Sequence, residues 1–328
     1  MKFPDLIYLL SFLGGLVTTA ASMPFWRAWC RRTGLLDSPG HRKIHHVPIP
    51  LAGGFAVLTG LLLPVLAAWV VLQSGMLDPD TVDRLRHGLS RRGGQLACVL
   101  LGAAAMVGLG WWDDRHTLSP GVKFAGQTAI ALAVAFSGVR VTLFVPNLLF
   151  SVGVTVGWIL VVTNAVNIMD NMNGLCAGLG VIATFCFGVA SGVAGQYLVT
   201  ALALLMCGAL LGFLPFNFPK ASSFLGDSGS HLVGYLLAVL AILPDFYSLD
   251  HPARFAVLTP LLVLAVPLGD MVMVMMIRRR LGRPIYVGDN NHLSHRLVRR
   301  GLKQTDAVLV IWLLAAAFGT LALLLFGR

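Results

Sequence analysis

The 328-residue sequence contains no glutamate, and all fourteen of its acidic residues are aspartate. Charged residues of either sign make up only 12% of the chain, about half the share that is usual in soluble domains. Hydrophobic residues make up 57%. This composition excludes an ordinary soluble protein and indicates several membrane spans. The net charge of +10 suits loops that face anionic lipid, and it equally suits a phosphorylated ligand.

Cysteine is scarce as well, and no pair has the CxxC spacing. An odd number of cysteines without paired spacing argues against a disulfide framework or a zinc site. We therefore expect all of them to be small buried apolar residues. The five are Cys30, Cys98, Cys176, Cys186 and Cys207.

Apolar runs long enough to cross the hydrocarbon, about 20 residues each, divide most of the chain. The predicted spans are 6–26, 51–73, 95–112, 123–139, 148–166, 175–193, 196–214, 229–244, 253–277 and 305–326. The first run is too long for the apolar region of a signal peptide and lacks a basic n-region followed by a clear cleavage site, so it is the first predicted span. The predicted fold is an all-α integral membrane protein, a single domain over 1–328 with about ten transmembrane helices.

The distribution of lysine and arginine predicts the orientation of these spans. Sixteen of the 24 cations lie in or beside one set of connections, and eight lie in or beside the other connections and the termini. The positive-inside rule then makes the first set cytoplasmic and places both termini outside. That set comprises 27–50, 113–122, 167–174, 215–228 and 278–304. The segment 84–94, "RLRHGLSRRGG", violates the rule, because its four arginines fall outside.

Three aspartates stand at the cytoplasmic ends of predicted spans. Asp113 and Asp114 are adjacent, so they stay ionised at a bilayer edge only when a cation joins them. Beside a phosphate that cation is usually Mg²⁺, although a solvated helix end is the alternative. Asp227, between two glycines, is either a helix cap or a third carboxylate at a phosphate-binding helix terminus. Lys123 is either an interfacial side chain or a phosphate contact.

The segment "NAVNIMDNMNG" (164–174) places polar residues at a helical spacing of three. They are Asn164, Asn167, Asp170 and Asn173. Such a stripe at the end of an apolar helix either binds a polar ligand or bonds to another helix. Asp270, inside the ninth predicted span, likewise is either a functional acid or pairs with another helix.

Two basic segments that contain histidine belong to the same predicted face. "PGHRKIHHVPIP" (39–50) includes Lys43 and His45, and 278–303 includes His292, His295 and Arg296. Because no cysteine accompanies these histidines and cations flank them, zinc is disfavoured. Opposite three carboxylates, the two segments are better explained as clamps on a polyphosphate bridged by Mg²⁺.

Five motifs in this order resemble the polyprenyl-phosphate N-acetylhexosamine-1-phosphate transferases over nearly the whole chain. They are "RKIHHVPIPLAGG", "DDRHTLSPGVKF", "NAVNIMDNMNG", "FLGDSGS" and "RPIYVGDNNHLSHRL". The resemblance implies transfer of a sugar 1-phosphate, GlcNAc 1-phosphate in particular, from a UDP-sugar to undecaprenyl phosphate with release of UMP. It implies Mg²⁺, with Mn²⁺ as a substitute, and a site on the cytoplasmic face of the bacterial inner membrane. The expected partners are these substrates and membrane lipid, but no nucleic acid; a homodimer is left open.

The resemblance also assigns roles to residues. Asp113 and Asp114 are implied as catalytic, and Asp227 with Asp114 as metal ligands. Nucleotide-sugar binding is implied for Asn167, Asp170, Asn217, Phe224, His292 and His295, and the polar stripe and the basic segment add Asn164, Asn173 and Arg296 as candidates. The residue pattern alone makes Lys43, His45 and Lys123 candidates for binding phosphate or the lipid phosphate. The sequence departs from the family pattern at Asn171 and Asn173, which replace a glycine and an aspartate, and in the spaced histidines of "HLSH".

Two alternatives remain open at this stage. One is the peptidoglycan branch of the same superfamily, the phospho-MurNAc-pentapeptide transferases, although the "RKIH" and "LSPGVKF" stretches favour the branch that starts polysaccharides. The other is a transporter of an anionic substrate. A transporter would place its polar residues at mid-membrane in broken helices, whereas here they are predicted at one face.

Overall fold

The computed structural model of the protein describes residues 4–38, 47–75, 79–141, 145, 147–244, 258–284 and 290–326. The described chain is almost entirely helical, which confirms the predicted all-α class. Its helices are α1 Asp5–Thr33, α2 Gly53–Gln73, α3 Pro79–His116, α4 Pro120–Phe136, α5 Leu148–Asn167, α6 Leu175–Val193, α7 Tyr197–Asn217, α8 Gly226–Leu240, α9 Thr259–Val263, α10 Ala265–Arg280, α11 Leu293–Arg299 and α12 Gln304–Phe326. Two short strands, β1 Leu36–Asp37 and β2 Ile49–Pro50, pair antiparallel.

Among the described residues, seven helices are long and apolar enough to cross a membrane: α1, α2, α3, α5, α6, α7 and α12. A multi-pass membrane protein is thereby confirmed, but the predicted count of ten is not. The predicted fourth, eighth and ninth spans correspond to shorter helices, since α4, α8 and α10 have 17, 15 and 16 residues. The ninth is interrupted at Leu264, which separates α9 from α10.

Helix α3 is far longer than the span predicted at 95–112. It has 38 residues and includes the arginine-rich segment 84–94, which the sequence analysis wrongly treated as a connection. The physical reason is that no proline occurs between Pro79 and Pro120, while leucine and arginine are good helix formers. The two adjacent glycines, Gly93 and Gly94, weaken the helix without ending it.

Close backbone packing joins α1 to α7. A side chain at Gly208 would come within 2.0 Å of the carbonyl oxygen of Phe12, and one at Gly212 within 2.3 Å of that of Leu16. Small residues let apolar helices approach in this way where lipid offers no competing hydrophobic gain. The two helices therefore run side by side with both N-terminal ends at one face.

Helix α8 forms the centre of the described structure. All its residues from Ser228 to Leu240 are buried, and α3 and α5 pack on it. At its N-terminal end, Phe224 donates its backbone N–H to Pro50 of β2 at 3.0 Å and accepts one from Gly53 of α2 at 2.9 Å. The β1–β2 pair is thereby fixed beside the start of α8. Four of the five cysteines are buried, as expected, while Cys98 is partly exposed.

Candidate active site

Lys123, near the start of α4, joins two aspartates that are distant in sequence. Its Nζ contacts Oδ2 of Asp113 in α3 and lies 3.3 Å from Oδ2 of Asp227 in α8. Asp113 also accepts a hydrogen bond from the backbone N–H of Leu118 at 2.8 Å. The side chain of Asp113 is 5% exposed and that of Asp227 is 31% exposed. Asp227 is therefore the carboxylate of this pair that a ligand can reach.

The side chain of Asp114, which belongs to α3, caps the N-terminal end of α8. Its Oδ1 accepts the backbone N–H of Asp227 at 2.8 Å, and its Oδ2 accepts that of Ser228 at 3.1 Å. The sequence allowed Asp227 itself to be the helix cap, and this alternative is wrong. The N-cap residue is Leu225, which makes no side-chain hydrogen bond. Gly226 has a φ of +69°, and a side chain there would come within 2.8 Å of Oδ2 of Asp114. This glycine thus permits the approach of the carboxylate.

Asn167, the last residue of α5, completes the surroundings of Asp227. Its Nδ2 donates to Oδ1 of Asp227 at 2.7 Å and to Oγ of Ser230 at 2.8 Å. Asp227 is therefore held on one oxygen by Asn167 and on the other by Lys123. Three helices and the end of α3 meet at this carboxylate, as the predicted convergence of loops on one face requires.

Asn164 lies one turn earlier in α5 and has different partners. Its Nδ2 donates to Oε1 of Gln127 in α4 at 2.8 Å and to the carbonyl of Leu160 at 2.8 Å. Gln127 is fully buried. Asn164 thus shows the interhelical amide bond that was the alternative for this stripe, and its role in nucleotide binding stays a prediction.

The turn between α5 and α6 is tied to two other segments by the asparagines that depart from the family pattern. Oδ1 of Asn171 accepts from Oγ of Ser294 in α11 at 2.7 Å. Nδ2 of Asn173 donates to the carbonyl of Pro219 at 3.1 Å, in the segment between α7 and α8. These ties hold the turn that carries Asp170, whose carboxyl group interacts electrostatically with Asp227 and Asp114.

The carboxyl group of Asp170 has a strongly raised pKa. Burial raises the pKa of its carboxyl to about 8, and the negative charges of Asp227, Asp114 and Asp37 contribute to the same shift. Asp37, in β1, was missed by the sequence analysis. Its signal was its place just before the Pro-Gly of the basic segment 39–50, on the predicted cytoplasmic face. Burial is the largest cause of the shift, and the three neighbouring carboxylates add negative charge that favours the binding of a cation.

Asn217 and Phe224 serve as framework in the described structure. Asn217 is 2% exposed; its Oδ1 accepts the N–H of Gly174 at 2.8 Å and its Nδ2 donates to the carbonyl of Ser223 at 2.9 Å. Phe224 packs on the hydrophobic core and keeps part of its surface exposed. Asn217 thus fixes the turn before α6 against the segment before α8, and contact of either residue with uridine stays a prediction.

Asp270 of α10 binds the N-terminal end of α11. Of its two predicted roles, the structure therefore shows pairing with another helix. Its Oδ2 lies 2.7 Å from Nδ1 of His292, and its Oδ1 accepts the N–H of Leu293 at 2.6 Å. His292 is the N-cap residue of α11 and is 5% exposed. His292 thus precedes the helix, and His295 lies in its first turn. Their ring centroids are 6.4 Å apart.

Arg296 also belongs to α11 and faces α10, since its Nη1 donates to the sulfur of Met273. Ser294 links the same helix to Asn171, as described above. Helix α11 is therefore held between α10 and the turn that carries Asp170. Lys43 and His45 lie outside the described residues.

The donor set suits Mg²⁺ held together with a phosphorylated substrate. In the described ranges, no three histidine, cysteine or aspartate side chains form a complete metal site. Mg²⁺ does not require one, since it is commonly held by one or two carboxylates plus substrate phosphates and water. Asp227, Asp114 and Asp37 bring negative charge close to the buried carboxyl of Asp170, and hard oxygen donors match this cation. The residues therefore fit the ion that the motifs imply.

Comparisons with known proteins agree on one family. The model of glycosyl transferase family 4 matches residues 96–245. A probable undecaprenyl-phosphate N-acetylglucosaminyl 1-phosphate transferase of Bacillus subtilis (strain 168) is 32% identical, over 97% of this chain and 84% of its own. The decaprenyl-phosphate N-acetylglucosaminephosphotransferase of Mycobacterium tuberculosis (strain H37Rv) is 31% identical, over 97% and 83%. The undecaprenyl-phosphate alpha-N-acetylglucosaminyl 1-phosphate transferase of Escherichia coli (strain K12) is 26% identical, over 98% and 83%.

Proposed function

Since the chain belongs to glycosyl transferase family 4, we propose that it transfers GlcNAc 1-phosphate from UDP-GlcNAc to undecaprenyl phosphate and releases UMP. The relatives' names support the transferred group and the polyprenyl phosphate acceptor. The product would start a lipid-linked glycan of the bacterial cell envelope. The observation that carries the proposal is the meeting of Asp113, Lys123, Asn167 and Asp227 at the end of a bundle of membrane helices.

The main obstacle to this reaction is repulsion between a lipid phosphate and a soluble diphosphate, so the site must supply positive charge. Lys123 is the described ammonium group that two site carboxylates hold in place. A phosphate oxygen arriving beside Asp227 meets this ammonium and the Nδ2 of Asn167. We assign to these two side chains the orientation of the diphosphate.

In the proposed reaction an oxygen of undecaprenyl phosphate forms a bond to the β-phosphorus of UDP-GlcNAc. The bond from the β-phosphorus to the bridging oxygen breaks, and UMP leaves with that oxygen. Undecaprenyl phosphate attacks as its dianion, and Asp113 holds the ammonium group of Lys123 in place beside it. Asp114 keeps α8 in register and thereby keeps Asp227 at the site. A two-step route through a phosphoaspartate would involve the same residues.

Mg²⁺ fits the proposal, with Mn²⁺ as its substitute. Asp227 and Asp114 were the ligands implied by the motifs; Asp227 is the more exposed, and Asp170 is the nearby carboxylate whose pKa is raised. We assign the ion to Asp227 with Asp170 or Asp114. When bound, it would neutralise charge on the diphosphate and on the transferred phosphoryl group.

The proposed location is the bacterial inner membrane, with the active site in the cytoplasm, where UDP-sugars are found, and both termini outside. The cation count supports this orientation. A homodimer stays a prediction.

Release of UMP from purified protein tests the proposal. UDP-GlcNAc, UDP-GalNAc and UDP-MurNAc-pentapeptide are each supplied with undecaprenyl phosphate and Mg²⁺, and UMP and lipid product are quantified together. We expect equal amounts of both products with UDP-GlcNAc and none after Asp227→Asn. Turnover of the MurNAc-pentapeptide donor alone would assign the chain to the peptidoglycan branch. Absence of UMP with every donor would contradict a transferase and leave the transporter alternative.

A further inference from the structure

The first four turns of α3 form a cation-rich surface at the end of the molecule opposite the active site. This surface, residues 79–94, includes Arg84, Arg86, Arg91 and Arg92, all exposed, together with His87. Its acidic residues are Asp80 and Asp83. Arginines outside the membrane on this side contradict the usual charge bias, which calls for an explanation.

Helix geometry places these arginines beyond the hydrocarbon. From Asp113 to Arg92 the helix rises about 32 Å, and to Arg84 about 44 Å, at 1.5 Å per residue. The hydrocarbon core is about 30 Å thick. The segment 84–92 therefore lies at the level of the opposite headgroups.

A hydrogen bond confirms the level of this segment independently of helix length. Oη of Tyr197 donates to the backbone carbonyl of Arg84 at 2.9 Å, and Gly88 leaves room for the same ring. Tyr197 is the first residue of α7, whose last residue is Asn217 at the active site. The arginine-rich turns thus lie against the far end of a second membrane helix.

An apolar stripe runs along the same turns. Val82, Leu85 and Leu89 follow each other at spacings of three and four and are each partly buried. At 100° per residue, Arg86 and Arg92 flank this stripe on its two sides. Long arginine side chains in such a position reach headgroup phosphates while their stems cover apolar surface. A helix surrounded only by water would gain no stability from an apolar stripe flanked by arginines.

We propose that Arg86, Arg91 and Arg92 bind the phosphate groups of anionic phospholipids in the leaflet opposite the active site. Arg140 joins this surface, since it is exposed and follows Gly138, whose backbone adjoins Gln95 of α3. Guanidinium groups bind phosphate through paired hydrogen bonds, so the preferred lipid has an unneutralised phosphate, as phosphatidylglycerol does. The inference is independent of the proposed transferase reaction.

Energy transfer in nanodiscs tests the proposal at this site alone. The full chain carries a donor dye on Ser90→Cys, an exposed position within the surface, with Cys98→Ala to remove the partly exposed native thiol. The discs contain phosphatidylcholine with a small fraction of acceptor-labelled phosphatidylglycerol or, in the comparison, acceptor-labelled phosphatidylcholine. We expect at least twofold greater transfer to labelled phosphatidylglycerol, and a decrease of this excess at 0.5 M salt.

The decisive variant is Arg86→Gln/Arg91→Gln/Arg92→Gln, in which we expect the excess to disappear. The matched control is Arg31→Gln/Arg32→Gln/Lys303→Gln, which removes three exposed cations at the active-site end and should keep it. Turnover and thermal stability in detergent should be unchanged in the arginine variant, which shows that it is folded. Equal transfer to both lipids, or an excess that survives the arginine replacements, overturns the proposal. The first of these results would instead favour an acidic protein partner.

Discussion

Nδ1 of His292 lies 2.7 Å from Oδ2 of Asp270, and the other oxygen of the same carboxylate accepts the backbone N–H of Leu293. One side chain in α10 therefore holds both the cap residue and the first residue of α11. Sequence reasoning left Asp270 without a role, because nothing in "VPLGDMVMVMM" shows which helix its carboxylate faces. The structure makes Asp270 a positioning residue for the histidine segment.

Replacing Asp270 by alanine should impair the enzyme through His292. Loss of both hydrogen bonds loosens α11, and we expect the apparent KM for the UDP-sugar to rise or kcat to fall, by about 1–3 kcal/mol in kcat/KM. Adding His292→Ala to this variant should cost little more, because the two residues act as a unit. The KM for undecaprenyl phosphate should change little.

Steady-state kinetics with each substrate varied in turn measure this coupling. Asp306→Ala, an exposed acid in the first turn of α12, is the matched control and should behave as the wild type. Additive losses in the double variant would contradict a shared role. A shift in the constant for the lipid with a steady constant for the UDP-sugar would reassign α11 to the lipid phosphate.

Asp114→Asn and Asp227→Asn should both abolish turnover but differ in stability. Asp114 caps α8, and an amide in its place directs an NH₂ group at one of two backbone N–H donors. Loss of such a cap costs about 1 kcal/mol, and more if the donor stays unsatisfied. Asp227 makes no cap, so its replacement, which weakens only the contacts with Lys123 and Asn167, should lower the melting temperature less than Asp114→Asn does.

Melting temperatures in detergent, compared with rates of UMP release, separate these two roles. Ser90→Ala, at an exposed position far from the site, serves as the control for substitution as such. Wild-type rates in either aspartate variant would contradict the assignment of these carboxylates to the site. Equal stability of both variants would contradict the structural role of Asp114.

The sequence predicted which segments meet, but it did not predict the role of each side chain. Spacing and hydropathy placed Asp113, Lys123, Asn167 and Asp227 at one face, because helix ends are readable from apolar runs. They could not show that Asp114 caps a helix that lies more than a hundred residues later in the chain. Likewise, hydropathy did not predict that α3 continues through residues 84–94, which the absence of proline permits and the hydrogen bond from Tyr197 to Arg84 supports.

Sidedness can be tested at two exposed positions that the structure places at opposite ends. A cysteine replacing Lys220 lies at the active-site end, and one replacing Ser90 lies at the far end. With Cys98→Ala as background, an impermeant thiol reagent added to intact cells should label position 90 and not position 220. The positive-inside count is the basis of this expectation. The reverse pattern would invert the orientation, and labelling of both would contradict the two-ended architecture.

Asp170 should make the stability of the protein depend on pH. Its pKa is about 8 in the folded state, raised first by burial and then by the neighbouring carboxylates, against about 3.9 for an unfolded aspartate. Between these values the folded state binds one proton more than the unfolded state. The contribution of Asp170 to stability is therefore complete below pH 4 and is lost as the pH rises through 8.

Thermal unfolding of the full chain in detergent, with a chelator present, tests this from pH 5 to pH 9. We expect the melting temperature of Asp170→Asn to exceed that of the wild type at pH 8 and above, and the difference to shrink towards pH 5. Asp306→Asn, which changes an exposed acid, should follow the wild type at every pH. Mg²⁺ without substrate should stabilise the wild type more at pH 8 than at pH 6, because a dication favours the ionised carboxylates. A difference between wild type and Asp170→Asn that does not change with pH would show that this carboxyl has an ordinary pKa, and it would remove the electrostatic argument for a cation at the site.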